Sequence, residues 1–327
     1  MKIEREIMLD QLNTKLIQEN VSLQDKNWFQ TGGITRFYAS PKTVDEFQTA
    51  LEFAKLNNLP LFILGNGANV LISDEMFPGL IIHPKISSIV HEIKNNQHLV
   101  TAESGTDFEF LINYCLDHNL SGLEEFSGIP STVGGATYIN LHYYDFLLAD
   151  FFVEGTIIHK ETFEIKTVPK EWFNFGYDHS TLQNKEWYLL SATFNLKPMS
   201  KEETAFARGR AVEIKRHRYK RYPHTHTCGS FFRNFLPEEV EKTEKKLIYV
   251  AYYLDKLGIK GELACGDAII SHQHANMIVN RGNATTKDII ELTTTMQKMV
   301  YDRFGIIPQP ECQLIGFTSN PFTKINV

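Results

Sequence analysis

Apolar side chains return at helical spacing over residues 43–56, with Val44, Phe47, Leu51 and Ala54 near one face. Thr43 is placed to cap that helix, and Asp45 and Glu46 fall in its first turn, where the helix dipole favours acids. Residues 59–64 (LPLFIL) form a short apolar run that reads as a buried strand, and after a glycine turn the run at 70–73 reads as another. Strand patterns follow at 80–83 and 89–100, then a helical one at 106–119. Residues 127–140 are glycine-rich and then alternate, while 151–168 and 187–196 read as strands. A charged helix over 201–218 leads into a basic, proline-broken stretch at 219–227 (YKRYPHTHT), where a domain boundary is expected. Beyond it, 245–257 reads as a helix stopped by Gly258, 274–280 as a strand, and 286–304 as a helix opened by Thr285 and closed by Gly305. Helices and strands alternate with no fixed repeat, which places the chain in the α+β or α/β classes.

Length and composition narrow the function classes. The 327 residues suffice for two domains or three. Hydrophobic residues make up 43% and charged residues 22%, enough apolar surface to offset the entropy of ordering, so a mostly disordered chain is excluded. Thirty-three Lys and Arg against 39 Asp and Glu give a net charge of −6. That balance argues against general nucleic-acid binding, which rests on cations meeting phosphates. It leaves room for a local pocket that takes a phosphorylated small molecule. Cys115, Cys228, Cys265 and Cys312 lack metal-ligand spacing and are expected as reduced thiols, with no metal site. No run of about 20 apolar residues is present, so no membrane insertion is expected. Residues 1–16 carry charges throughout and no apolar run of secretory length, which points to the cytoplasm.

Two loops carry candidate chemistry. Gly65-Asn66-Gly67-Ala68-Asn69 lets backbone amides approach a ligand closely, as in an anion-binding nest. The dinucleotide fingerprint needs a third glycine and a following helix, whereas here a strand pattern follows, so the ordinary Rossmann reading fails. A plain tight turn and a phosphate cradle both remain open for this loop. The second loop, Gly128 to Ala136 (GIPSTVGGA), sets Pro130 beside Gly134 and Gly135. The pair of loops reads either as a clamp on a pyrophosphate or as two unrelated turns.

In order along the chain stand Asn27 to Gly33 (NWFQTGG) with Arg36, then LGNGANVL, GLEEFSGIPSTVGGA, CGSFFRN, GIKGELACGDAIISHQHANMIVN and PEC. Together they resemble the UDP-N-acetylenolpyruvoylglucosamine reductase family over residues 27–317. The resemblance implies an α+β fold, with a two-lobed FAD-binding domain of the vanillyl-alcohol-oxidase type plus a smaller α+β substrate domain. The organisation it implies is an N-terminal segment at 1–26 and an FAD-binding domain at 27–218, with lobes at 27–85 and 86–218. A substrate domain at 219–309 would close over a UDP-sugar, and a segment at 310–327 would return to the active site. FAD and NADPH are the implied cofactors, and no obligate protein partner is inferred.

By the same resemblance, Gly65, Asn66, Gly67, Ala68 and Asn69 would hold the flavin diphosphate together with Gly128, Thr132, Gly134 and Gly135. NADPH would deliver hydride to FAD, and reduced FAD would deliver it to the methylene carbon of an enolpyruvyl ether. Ser230 matches the acid that protonates the adjacent carbon; on residue type alone it reads as a capping or turn hydroxyl after glycine. Glu311 matches a near-terminal glutamate that polarises the substrate carboxylate, a position where like-charge repulsion would raise its pKa. Arg233, Asn234, His274 and Asn276 match substrate-binding positions, although an exposed Arg, a turn Asn and a core His are the plain alternatives. The family arginine of a tyrosine–arginine–x–serine segment is replaced: this chain has Tyr177-Asp178-His179-Ser180. An acid cannot stabilise an enolate as a fixed cation does, and His179, Arg218 and Arg221 are the candidate replacements. Ser131, residues 141–144, Phe235 and Asp267 also depart from the pattern. The alternatives to the reductase are a related FAD oxidoreductase with another substrate and a flavin- or nucleotide-binding protein that has lost the reaction.

Overall fold

A computed structural model describes residues 16–322. The N-terminal reading made on 1–16 lies almost wholly outside the described residues. The chain divides into two units. The first takes the described residues up to Glu19 together with Phe37–Asn66 and Gly79–His217; the second takes Asn20–Arg36, Gly67–Pro78 and the chain from Arg218. A break next to 218 was expected, but four contiguous ranges were not what the fold delivers. Strand Val70–Ile72 pairs in parallel with Gln313–Ile315, which draws the segment from Gly67 into the second unit.

The main sheet of the first unit runs in the order Ile165–Pro169, Phe152–His159, Trp187–Pro198, Gln97–Glu103, Ile89–Lys94, all antiparallel, with Leu120–Ser121 pairing the far end of the third strand. The expected strands at 89–100 and 151–168 are hairpins. Asn95 and Asn96 both take positive φ and turn the first. Helix Phe108–Asp117 packs on this sheet through Leu111, Ile112 and Cys115. Burial pushes the Cys115 thiol up to about 12. Residues 133–139, expected only to alternate, form a helix capped by Thr132, whose hydroxyl accepts from Gly135 N. Helix Val44–Leu56 begins at the Thr43 cap and buries Phe47, Ala50, Leu51 and Ala54 against Leu80, Ile82 and Ala39.

In the second unit, Ala264–Cys265, Ala268–Ile270 and Ile278–Asn280 form a three-stranded antiparallel sheet beside helices Val250–Asp255 and Thr286–Phe304. The long helix has the expected ends: a Thr285–Asp288 capping box and Gly305 at φ 70°. The helix expected at 245–257 is confined to Val250–Asp255. Lys246 has φ 50°, and Ile248 gives its carbonyl to Phe235 N, so the chain before Tyr249 serves as a neighbour to 235 rather than as a helical turn. The strand expected at 274–280 starts only at Ile278, because Met277 N donates to His274 O and closes a turn. Phe29, Leu71, Phe231, Phe232, Tyr253 and Met296 sit at the centre of the core.

Candidate active site

In the first unit the two glycine loops meet. A Cβ built on Gly65 would stand 2.9 Å from Thr132 Oγ1, closer than real Cβ contacts come. Asn66 Nδ2 donates to Asp107 Oδ2 at 3.2 Å, and Asp107 bridges Thr132 across the backbone. Asp107 and Thr132 each cap a helix, so the junction is built from two helix starts and one turn. The fold thus brings Gly65, Asn66 and Thr132 together with Gly134 and Gly135.

The amides near this junction are unevenly committed. Gly134 N donates to Ser104 O at 2.8 Å, Gly135 N to Thr132 Oγ1 at 3.1 Å, and Gly128 N to the Glu109 carboxylate at 2.8 Å. Gly134 and Gly135 therefore supply space rather than open donors: a Cβ on Gly134 would meet Ser104 O at 3.0 Å. By contrast, the amides of Asn66, Gly67, Ala68 and Asn69 donate to no group among the described residues. Ser104 Oγ, Thr106 Oγ1 and Ser127 Oγ are buried without partners, which is costly unless something completes them. Ser104 and Thr106 flank the start of helix Val133–Ile139, giving their carbonyls to Gly134 and Val133. Within the first unit, the Asn66 amide and the uncharged Ser104, Thr106 and Ser127 hydroxyls, around a turn with no room for side chains, are of the donor type that an anionic phosphate group takes.

The loop passes into the second unit after Asn66. Gly67 has φ 66° and sits on Lys26 and Asn27, where a Cβ would approach within 2.7 Å. Gly33, in the NWFQTGG motif, has its Cβ direction filled by Asp74 O, and its amide donates to Ser73 O. Asn69 Oδ1, Asn27 Oδ1 and Thr31 Oγ1 are buried and unpartnered here.

Ser230 and Glu311 come to adjacent backbone positions in this unit. Ser230 bridges Met277, Phe232 bridges Pro310, and Glu311 N donates to Phe231 O at 2.8 Å. The Cys228 thiol, hydrogen-bonded to Cys312 and close to the Glu311 charge, is held well above the usual thiol range. All four cysteines are free thiols. The other expected substrate contacts are differently employed. Arg233 forms a two-pronged ion pair with Glu239, 2.8 Å on each prong; this raises the Arg233 pKa and lowers that of Glu239. Asn234 Oδ1 accepts from Val250 N. His274 is pushed down to about 4 by burial and by the Arg221 charge, so its ring is neutral; Nδ1 accepts from Asn276 N, and Tyr222 lies 5.3 Å away. Asn276 spends both ends of its amide on the backbone of Phe232. The use of asparagine amides as substitutes for a strand neighbour carries no sequence signal beyond the residue type.

At the divergent segment, Asp178 has φ 50° and sets its carboxylate 3.3 Å from His142 Nδ1, a contact without hydrogen-bond alignment. From the sequence, His142 stands only within the departing stretch 141–144, with no role attached to it. Ser180 is buried and donates to Tyr138 O, and His179 Nδ1 is buried without a partner. Arg218 and Arg221 lie over the ring of Tyr222 in the second unit. Among the described residues, no group of three or more His, Cys, Asp or Glu is placed to hold a metal ion. No helix there is long and apolar enough to cross a membrane.

Comparison with known proteins agrees with this geometry. Residues 221–315 match the family model described as UDP-N-acetylenolpyruvoylglucosamine reductase, C-terminal domain, and residues 35–158 match the model of an FAD binding domain. The UDP-N-acetylenolpyruvoylglucosamine reductase of Caldicellulosiruptor saccharolyticus is 32% identical over 100% of this chain and 99% of its own length. That of Lactobacillus delbrueckii subsp. bulgaricus is 33% identical over 92% of this chain and 95% of its own. Among solved structures, the UDP-N-acetylenolpyruvylglucosamine reductase of Thermus caldophilus superposes with a TM-score of 0.72 at 27% identity, covering 91% of this chain and 99% of its own.

Proposed function

The chain belongs to the UDP-N-acetylenolpyruvoylglucosamine reductase family, and from that premise we propose how its own residues carry the work. It is an FAD-dependent oxidoreductase of peptidoglycan precursor synthesis, taking UDP-N-acetylglucosamine enolpyruvate to UDP-N-acetylmuramate with NADPH. The chemistry that FAD supplies when bound is hydride transfer, from NADPH to the methylene carbon of the enolpyruvyl ether. Within the first unit, the unspent amide of Asn66 and the hydroxyls of Ser104 and Thr106 hold the diphosphate, while Gly65, Gly134 and Gly135 keep side chains out of its way; within the second, Gly67, Ala68 and Asn69 offer amides to the same class of anionic group. Gly128 and Thr132 shape the same turn: Gly128 at φ 78°, Thr132 as the cap.

Ser230 donates the second hydrogen as a proton. Hydride arriving at the methylene carbon leaves an electron pair on the neighbouring carbon, delocalised into the carboxylate. The Ser230 hydroxyl protonates that carbon, and the serine oxygen recovers a proton from solvent. A serine is a weak acid, adequate only toward an acceptor as basic as an enolate carbon. Glu311 polarises the substrate carboxylate beside it. Arg233, paired with Glu239, and Asn234, engaged by Val250, follow Ser230 along the same segment and support its backbone. His274, neutral and engaged with Asn276, buttresses that strand. Both substrates are charged nucleotides that do not cross a bilayer unaided, which places the reaction in the cytoplasm.

The observation that carries this reading is the backbone junction of Ser230 with Glu311 within the second unit. It is tested on the purified, FAD-loaded chain without air. NADPH should bleach the flavin, and the enolpyruvyl substrate should restore its colour. Ser230→Ala should leave bleaching unchanged and slow recovery by about 10²- to 10⁴-fold. Equal slowing of both phases would remove Ser230 from the proton step.

A further inference from the structure

The strand that carries Ser230 loses its neighbour too early. Residues 230–233 run between 276–277 on one side and 309–311 on the other. On the first side the ladder is regular only as far as Phe231, whose amide donates to Asn276 O at 2.8 Å. There the neighbouring chain turns away, because Met277 N closes on His274 O. Phe232 would then have no backbone facing it. The Asn276 side chain fills the gap: Oδ1 accepts from Phe232 N at 3.0 Å and Nδ2 donates to Phe232 O at 2.7 Å. An amide side chain carries an acceptor oxygen and a donor nitrogen side by side in one plane, so it reproduces the paired contact of an antiparallel neighbour. Asn276 is 2% exposed and both ends of its amide are engaged by the Phe232 backbone, so the side chain is committed to the strand.

We infer that Asn276 is a positioning residue for the proton donor: its side chain completes the ladder that fixes the backbone from Ser230 to Phe232, and so aims the Ser230 hydroxyl. This rests on Ser230 being the acid. A side chain able to accept but not donate, such as aspartate, would satisfy Phe232 N and repel Phe232 O. The strand would then rotate or shift, with Ser230 two residues away. A misplacement of about 1 Å in a reacting group costs on the order of 10²-fold in rate.

The test is a double-mutant cycle on the FAD-loaded full chain, using Asn276→Asp, Ser230→Ala and the two combined. The rates of flavin bleaching by NADPH and of recolouring by the enolpyruvyl substrate are read separately. Asn276→Asp should slow recolouring by about 10²-fold and leave bleaching within about twofold. In the Ser230→Ala background it should cost nothing further, because its effect passes through that hydroxyl. An equal loss in both backgrounds, or no loss in either, overturns the inference. Ser230→Ala without effect overturns the underlying assignment instead. Amide hydrogen exchange on the unaltered chain checks the clamp even if the variant fails to fold. The Phe232 amide, held by a side chain, should exchange as slowly as the Phe231 amide, held by backbone. Exchange about 10²-fold faster at Phe232 would show that no such clamp exists.

Discussion

His274 sits at the junction of the clamp and the basic stretch that precedes it. Its ring is neutral because burial and the Arg221 charge oppose protonation, with Lys260 adding to and Asp255 offsetting that effect. The same residue in the unfolded chain titrates near 6.5, whereas in the fold it titrates at about 4. The unfolded chain therefore binds more protons between these values. Stability is complete above pH 6.5, is lost as pH falls toward 4, and levels off below that, with a total of at most about 3 kcal/mol. Urea unfolding across this range should show the slope in the unaltered chain and its absence in His274→Gln; an identical slope in both would mean that other groups cause it. Protonation at Nδ1 would also remove the acceptor that Asn276 N now uses. At Asp178 the same scale yields a different result. Where the resemblance expects a cation, the chain holds a carboxylate 3.3 Å from His142 Nδ1.

Glycines separate two kinds of element. Gly65 turns where its missing side chain makes room for Thr132, while Gly209 lies inside helix Lys201–Arg221 with nothing within 4 Å of a Cβ. Gly65→Ala should lower the thermal midpoint by the equivalent of about 1–3 kcal/mol of overpacking and weaken FAD uptake. Gly209→Ala should raise the midpoint, by about 0.5–1 kcal/mol, because alanine restricts the unfolded chain and fills open space. Calorimetry and a flavin fluorescence titration would check both; unchanged flavin affinity in Gly65→Ala would remove that turn from the cradle. Both glycines are plain in the sequence, but their opposite consequences are not. The helix ends at Thr43, Thr285 and Gly305 were legible because capping is decided within four residues. The helix expected at 245–257 failed because Ile248 is taken by Phe235, a partner the local pattern cannot name.

The second unit is assembled from three stretches of chain. Phe29 and Leu71 are fully buried in the core formed with residues beyond 218, and Thr286 Oγ1 donates to Ile72 O at 2.6 Å. Asp74 accepts from Thr286 N at the start of the long helix. A fragment comprising residues 218–327 alone should therefore fail to fold, although it contains Ser230, Glu311 and all of the matched C-terminal family domain. Circular dichroism would show it: the fragment should melt without a cooperative transition while the full chain shows one. A sharp melt in the fragment would mean that Phe29 and the strand at Val70 contribute little.

Local information sufficed for the half-buried helices, for the turns that only glycine can make, and for the ordered motifs that mark the family, because each is written in a few neighbouring residues. The employment of polar side chains was not written there. Asn276, Arg233 and Asn234 could meet a ligand or a backbone equally well by residue type; folding brought Phe232, Glu239 and Val250 to them first. The meeting of Gly65 with Thr132 and the recruitment of 67–78 into the second core are likewise contacts between distant stretches, and a chain reveals those only once long-range packing has selected which surfaces touch.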